Sequence, residues 1–380
     1  MDNIWDVQKI IKELDQEELI LYVGKNVTME KAADKRIILF THELKRSGAP
    51  SVLLDVSKVL LEIGYSVFLM ADEADELLGE FVELGVNVIV YEQFAEDSKW
   101  LLKVVEVFPV ILVNTMVSAY LVKFLAPYAG KLYWWIHESE IGIINWREEV
   151  RTIPCVPSLK ILAASPQIKR NIKLYWHRDS ELLNFYVEDI PSVERKRDGK
   201  LNLLNVGDMN GNKGQDVLID AFDMLSDVAK EKCDLYFCGD NKRYNEQILI
   251  KVLDYVDSHD NVHMLEGMPK MELYNLYDEI DIIIVASHYE STSAIAVEGL
   301  MKEKLCICTE TCGVCEYLQN GENVFTFKRR DAKSLARVLE NAILNYDSMD
   351  KVRRSGRKVF EQVYSKEVFR ERLLDILEHT

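Results

Sequence analysis

The amino-acid sequence predicts an α/β protein of two doubly wound domains. Short β-branched or aromatic runs alternate with helix-length segments along most of the chain, the pattern of parallel strands covered by helices. The alternation stops at one polar break, PSVERKRDGK (191–200), and restarts after it. The chain has 380 residues, 48% of them apolar, enough for two units that each bury a core.

The elements follow in order. Residues 1–33 stand outside the rhythm and read as a helix plus a short extended piece, YVGKN. Strands are expected at RIILFT (36–41), YSVFLM (65–70), VNVIVY (86–91), VILVN (110–114), KLYWWIH (131–137) and LKILAAS (159–165). The segments between are helical; SVLLDVSKVLLEIG (51–64) sets its apolar residues three and four apart. After the break come LNLLNVG (201–207), CDLYFCG (233–239), NVHMLEG (261–267), IDIIIVAS (280–287), KLCICTE (304–310) and NVFTF (323–327), again with helices between. The last segment, SKEVFRERLLDILEHT, is amphipathic and helical. In such folds ligands bind at the carboxyl ends of the strands, facing the cleft between domains.

Composition excludes several functions. The net charge of −17 argues against nucleic acid or an anionic membrane as the main partner. Residues 34–180 carry about −3 and residues 181–380 about −11, so the first half is less hostile to an anionic surface. The start, MDNIWDVQKIIKELDQEEL, lacks an uninterrupted apolar core, so no signal peptide is expected. The run VFPVILVNTMVSAYLV holds Pro109 and Asn114 and reads as strand, turn and helix, not a membrane span. Seven cysteines without a secretion signal predict a reduced, cytoplasmic protein. Four of them, Cys306, Cys308, Cys312 and Cys315, crowd one segment. No second Cys-x-x-Cys and no nearby His completes a zinc set, so packing as small hydrophobes is the expected role.

Three stretches combine a strand end, a helix start and polar residues. In THELKRSGAPSVLLD (41–55), Gly48 would let the backbone turn sharply before a helix whose first amides attract phosphate or carboxylate; a plain βα turn is the simpler reading. In NVGDMNGNKGQDVLIDAF (205–222), Lys213 at a glycine turn could neutralise a diphosphate, although the spacing is not that of a Walker A loop. A solvated loop lysine fits the same pattern. In ASHYESTSAIAVEGLM (286–301), Glu290 precedes a helix start and Glu298 lies along the helix. Ser291 to Ser293 can cap that helix, and an acid among Ala296, Val297 and Leu300 needs a partner.

Taken in order, these stretches resemble the retaining glycosyltransferases of family 4, with the GT-B fold: two Rossmann-like doubly wound domains facing a cleft. The likeness covers residues 35–378. ESTSAIAVE resembles the family's Glu-x7-Glu motif, and TCGVCEYLQNGENVF its glycine-containing donor-side turn, with Cys312 and Cys315 in small-residue places. The resemblance implies an N-terminal helical extension (1–33), an acceptor-side domain (34–190), a nucleotide-sugar-binding domain (198–358) and a C-terminal helix (359–380) packing back toward the first domain. It implies Glu298 on the ribose hydroxyls and Glu290 facing the donor sugar. Lys213 and the amides around Ser291, Thr292, Ser293 and Ala294 would lie on the diphosphate. Gly48 and Ala49 would approach the phosphates or acceptor, His137 the reacting sugar, and Met268 with Pro269 the base pocket. For His137 a capping or core role is the plainer alternative.

The partners so implied are a nucleotide sugar and a saccharide acceptor, expected to be lipid-linked, with no nucleic acid and at most peripheral membrane contact at the inner face. Lys169, Arg170, Lys173 and Trp176 are the candidates for that contact; a plain solvated helix face is the alternative. No cofactor and no metal is implied, the nucleotide sugar being a co-substrate. One departure stands out: the family commonly has arginine where this chain has Asp208. An acid there would weaken diphosphate binding unless Arg46, Lys242 or Arg243 compensates. It also motivates a second expectation, a catalytically inactive GT-B subunit that binds a partner transferase or acceptor protein.

Overall fold

The computed structural model describes residues 19–25, 35–45, 48–92, 94, 96–193, 195, 199–239 and 244–379. The chain divides into two compact units, residues 1–185 with 372–380, and residues 186–371.

The first unit holds an eight-stranded sheet in the order β1-β4-β3-β2-β5-β6-β7-β8. Its strands are β1 (Ile20–Tyr22), β2 (Arg36–Phe40), β3 (Ser66–Ala71), β4 (Asn87–Val90), β5 (Val110–Asn114), β6 (Lys131–Ile136), β7 (Leu159–Ala163) and β8 (Glu181–Leu182). All neighbours are parallel except β1, which runs antiparallel along β4. Every residue of β4 and β5 is buried, as expected for parallel strands covered on both faces. Helix Gly48–Glu62 buries Pro50, Leu53, Val56, Ser57, Val59 and Leu60, a stripe three and four residues apart that turns one face inward.

The second unit holds β9 (Leu201–Val206), β10 (Cys233–Gly239), β11 (Val262–Glu266), β12 (Ile282–Val285), β13 (Leu305–Thr309) and β14 (Phe325–Phe327). They pair in parallel in the order β11-β10-β9-β12-β13-β14, the 3-2-1-4-5-6 winding of nucleotide-binding sheets. Leu203, Leu235, Phe237, Ile282, Ile284, Leu305 and Ile307 form one core with Val217, Leu218 and Phe222 of helix Gln215–Asp223. Winding reverses between β9 and β12. Their register runs through Leu203–Ile282 and Leu204–Ile283. One residue further, Asn205 Nδ2 donates to Ile284 O at 2.9 Å. A side chain thus replaces the ladder where the strands part.

The unit boundary falls earlier than the polar break. Val187 N donates to Tyr364 O at 3.0 Å, and Arg357 grips Asp189 with two bonds of 2.8 and 2.6 Å. Residues 186–190 are therefore tied to the second unit. The C-terminal segment is also divided. Helix Asp350–Val363 ends before helix Lys366–His379 begins, and only residues 372–380 group with the first unit. There Lys131 Nζ donates to Leu377 O at 2.8 Å and Tyr133 Oη to Ile376 O at 3.1 Å. Among the described residues no helix is long and apolar enough to cross a membrane.

Candidate active site

In the second unit the loops after β9 and β12 are stitched together at the reversal point. His288 N donates to Asn212 O at 2.7 Å, Asn212 Nδ2 to Tyr289 O at 2.9 Å, and Tyr289 N to Asn212 Oδ1 at 3.1 Å. Gly214, at φ 69°, opens helix Gln215–Asp223; a Cβ there would lie 2.1 Å from Ala286 O. Only glycine allows that approach. The stem of Lys213 folds over Gly207, and its Nζ reaches Glu290 Oε2 at 3.1 Å. Burial works against the ammonium charge, but Glu290 and then Asp208 outweigh it and hold the lysine pKa above its ordinary value. Lys213 is therefore a fixed cation at physiological pH, its side chain 28% exposed. Asp208, expected to weaken the site, here supports that charge.

Past Glu290 the chain turns into helix Ala294–Met301. Ser293 adopts φ 78°, a conformation side chains with a Cβ rarely take, and its hydroxyl accepts from Ala296 N at 3.3 Å. Thr292 is buried, with its Oγ1 unpartnered. The next turn braces this one: Gly313 N donates to Glu290 O at 3.0 Å and Val314 N to Thr292 O at 3.1 Å. Glu298 is 5% exposed. Tyr277 Oη donates to its Oε2 at 2.8 Å and Tyr274 Oη to its Oε1 at 3.4 Å. Burial and this carboxylate push the Tyr277 phenol well above its ordinary pKa. Met268, half-buried, precedes Pro269 and the helix Lys270–Asp278 that carries both tyrosines.

Two further cations stand at this end of the sheet, after β14. The Arg329 guanidinium lies 4.6 Å from the Tyr289 ring centre, and that of Arg330 lies 6.0 Å away. Arg329 Nη1 also lies 3.5 Å from His288 O. Arg46, Lys242 and Arg243 lie outside the described residues.

In the first unit the corresponding strand ends carry Thr41, Asn114 and His137. Asn114 Nδ2 donates to Ala49 O at 3.1 Å, tying β5 to the start of helix Gly48–Glu62. Gly48 corrects the expectation of a sharp glycine turn. It sits in the first helical turn, and a Cβ there would touch nothing within 4 Å. His137 follows β6. Its backbone N donates to Glu138 Oε2 at 2.9 Å, while Met116 N donates to Glu138 Oε1 at 2.8 Å. The ring lies 4.4 Å from that of Trp135, and Nε2 is sealed without a partner. Burial lowers the imidazole pKa to about 3, so His137 is neutral and offers hydrogen bonding, not positive charge. Trp176 cannot face a membrane: it is buried, stacks on Trp134 at 5.3 Å and donates from Nε1 to Ile143 O at 2.7 Å. Among the described residues no cluster of three or more His, Cys, Asp or Glu is arranged to hold a metal ion.

Sequence reasoning missed the tyrosine pair and Arg329. The tyrosines had a faint signal, a three-residue spacing on a helix just ahead of the strand that leads to Glu290 and Glu298. Arg329 had none, being one of several charges in a polar turn.

Two Rossmann-like units, one carrying a charged lysine and two carboxylates at its reversal point, define a protein of the GT-B class. Residues 33–167 match the family described as Glycosyl-transferase family 4, and residues 187–359 the family described as Glycosyl transferases group 1. The chain belongs to the group 1 glycosyltransferases. The capsular polysaccharide biosynthesis glycosyltransferase CapM of Staphylococcus aureus is 22% identical over 144 residues, 35% of this chain and 38% of that protein. The chain thus spans less than half the length of that curated relative. The crystal structure of a glycosyltransferase from Rickettsia africae ESF-5 matches 92% of this chain and 99% of its own, with a TM-score of 0.75 at 16% identity. Anabaena Alr3699/HepE in complex with UDP and glucose matches 91% of this chain and 100% of its own, with a TM-score of 0.74 at 14% identity. At such identities these structures speak for the fold.

Proposed function

We propose that this glycosyltransferase moves a sugar from a nucleoside-diphosphate sugar to a saccharide hydroxyl, with retention at the anomeric carbon, in polysaccharide or glycoconjugate assembly. The observation that carries the reading is the Lys213–Glu290 pair at the reversal point of the second sheet, 3.1 Å apart. The UDP complexes of HepE and the name of CapM support the donor and product classes. Retention rests on the likeness of Glu290 and Glu298 to the retaining family's paired motif.

In this reaction the bond from the anomeric carbon to the diphosphate oxygen breaks, and a bond to the acceptor oxygen forms on the same face. The acceptor proton leaves with the nucleoside diphosphate. Negative charge grows on the leaving oxygen, and Lys213 with the first amides of helix Ala294–Met301 answers it. Arg329 supplies the second cation that Asp208 does not. Glu298 takes the ribose hydroxyls, Glu290 the donor sugar, Met268 the base, and Gly48 and Ala49 the phosphates or acceptor. His137, neutral, bonds to the reacting sugar. The acceptor is a growing, lipid-linked saccharide, and no metal takes part.

The test is a thermal melt with UDP, GDP, dTDP, CDP and ADP in turn, with EDTA present. Ligand at about a hundred times its dissociation constant adds ~2.7 kcal/mol, a clear midpoint shift. A shift with one nucleotide supports the reading and names the base; the anomeric proton coupling of the product then reports retention. No shift with any of the five refutes it in favour of a partner-binding subunit without chemistry.

A further inference from the structure

The transfer reaction leaves the cysteines of the donor-side turn unused. Cys306 is committed to the backbone, its Sγ lying 3.8 Å from Ala296 O and 3.7 Å from Lys304 O. The remaining three gather. Cys312 and Cys315 are separated by Gly313 and Val314 in a single tight turn, in which Cys315 N donates to Cys312 O at 2.9 Å. The Cys315 thiol sits beside those of Cys308 and Cys312 and donates to Thr309 O at 3.5 Å. Those two are buried, whereas Cys315 is half-exposed. Its thiol pKa is held well below the ordinary value by Cys308 and then Cys312, while those of its partners are pushed up. The turn thus presents one half-buried sulfur beside a fully sheltered one. Nucleophilic cysteines of Cys-x-x-Cys pairs have this arrangement.

The turn is also fastened to the donor site. Cys312 Sγ donates to Thr292 O at 3.2 Å, beside the bonds from Gly313 N to Glu290 O and from Val314 N to Thr292 O. Whatever moves Cys312 moves the seat of Glu290 and the start of helix Ala294–Met301.

We propose that Cys312 and Cys315 are a dithiol site that low-molecular-weight disulfides close into an intramolecular bond, and that closure weakens binding of the donor nucleotide. The Cys315 thiolate attacks one sulfur of the small disulfide and expels the other half as a thiolate. Cys312 then loses its proton to solvent, attacks the Cys315 sulfur of the mixed disulfide and expels the second half. Two protein thiols are oxidised and one small disulfide is reduced to two thiols. Closure draws the Cys312 sulfur toward Cys315 and removes its S–H bond to Thr292 O. The second half of the proposal rests on the nucleotide-donor reading above.

The experiment uses full-length protein carrying Cys155→Ser, which removes the exposed cysteine. Reduced protein is incubated with oxidised glutathione, desalted and compared with its untreated twin. The expected result is an intact mass lower by two hydrogens, a peptide map joining Cys312 to Cys315, and a nucleotide dissociation constant raised about tenfold or more. Dithiothreitol restores all three, which separates closure from unfolding. Adding Cys315→Ser abolishes the mass change and makes affinity indifferent to glutathione. An unchanged mass, a lasting glutathione adduct or a link to Cys308 overturns the pairing. A closed Cys312–Cys315 bond with unaltered nucleotide affinity overturns the coupling to the donor site. Reduced protein that binds no nucleotide refutes the donor reading, and the mass and map still judge the dithiol site.

Discussion

Replacing Tyr277 by phenylalanine tests how the second unit keeps a carboxylate in its interior. The substitution preserves the ring and removes one hydroxyl, the donor to Glu298 Oε2 at 2.8 Å. The Tyr274 hydroxyl, at 3.4 Å, is too distant to replace it fully. A hydrogen bond to a carboxylate contributes about 1.5–3 kcal/mol, and losing it strands a buried acceptor. In a unit of this size that lowers the melting midpoint by about 3–12 °C. Glu298→Gln and the double variant complete a cycle, followed by urea unfolding and circular dichroism. The double variant should recover about 1–3 kcal/mol relative to the summed single costs, because the two groups are in contact. The raised phenol pKa sets the pH range. The contribution of Tyr277 is constant through neutrality and is lost only as pH rises past the ordinary phenol value of 10.0. Tyr277→Phe within about 0.5 kcal/mol of the parent protein, or a strictly additive double variant, would refute the reasoning.

Other outcomes follow from the same geometry. Lys213→Ala should lower the transfer rate about 100-fold or more while leaving the circular dichroism spectrum intact; an unchanged kcat would remove Lys213 from leaving-group stabilisation. Arg329→Ala should weaken binding of a nucleoside diphosphate about tenfold while leaving the bare nucleoside unaffected, read by calorimetry; equal losses for both ligands would place Arg329 elsewhere. His137→Gln should remove an acid-side stability slope. The folded pKa is about 3 against an ordinary 6.5, so its contribution is full above pH 6.5. It is lost as pH falls toward 3, at about 1.4 kcal/mol per pH unit. Glu138, with its pKa raised by burial, acts in the opposite sense and cancels in the difference between parent and variant. Parallel pH curves for the two proteins would refute the buried, neutral imidazole.

Much of the fold was legible because buried parallel strands leave a strong signal. RIILF, VILVN and KLYWWI read as strands and are β2, β5 and β6. The short edges were not: β1 and β8 have three and two residues, too few for any pattern. The 191–200 break looked like the boundary, yet the units divide at Tyr186, because a few hydrogen bonds to Tyr364 and Arg357 outweigh local polarity. The site was legible where residues are local in sequence, as with Asn212, Lys213 and Gly214, or Glu290 through Glu298. Partners from other elements were hidden. Tyr277 lies 21 residues before Glu298 and meets it only through packing. Gly48 failed for the opposite reason: glycine suggests a special backbone angle, and here it marks an open helix start. The cysteine segment was read as packing, which holds for Cys306. A linear sequence does not show that Cys308 and Cys315, on a strand and in a turn, meet.

The last residues of the chain complete the first unit, and this sets an order on biosynthesis. Lys131 and Tyr133, on the sixth strand, find their acceptors at Leu377 and Ile376. A ribosome adding roughly 5–20 residues per second takes about 12–50 s to go from Tyr133 to its acceptor 243 residues later. Throughout that interval the amino-terminal unit lacks the helix end that its sixth strand bonds to, while the carboxyl-terminal unit is made. A chain truncated just after Glu371, where the second unit ends, should therefore hold a mature second unit beside a more protease-sensitive first one, an inversion of the usual order in which the earlier-made domain matures first.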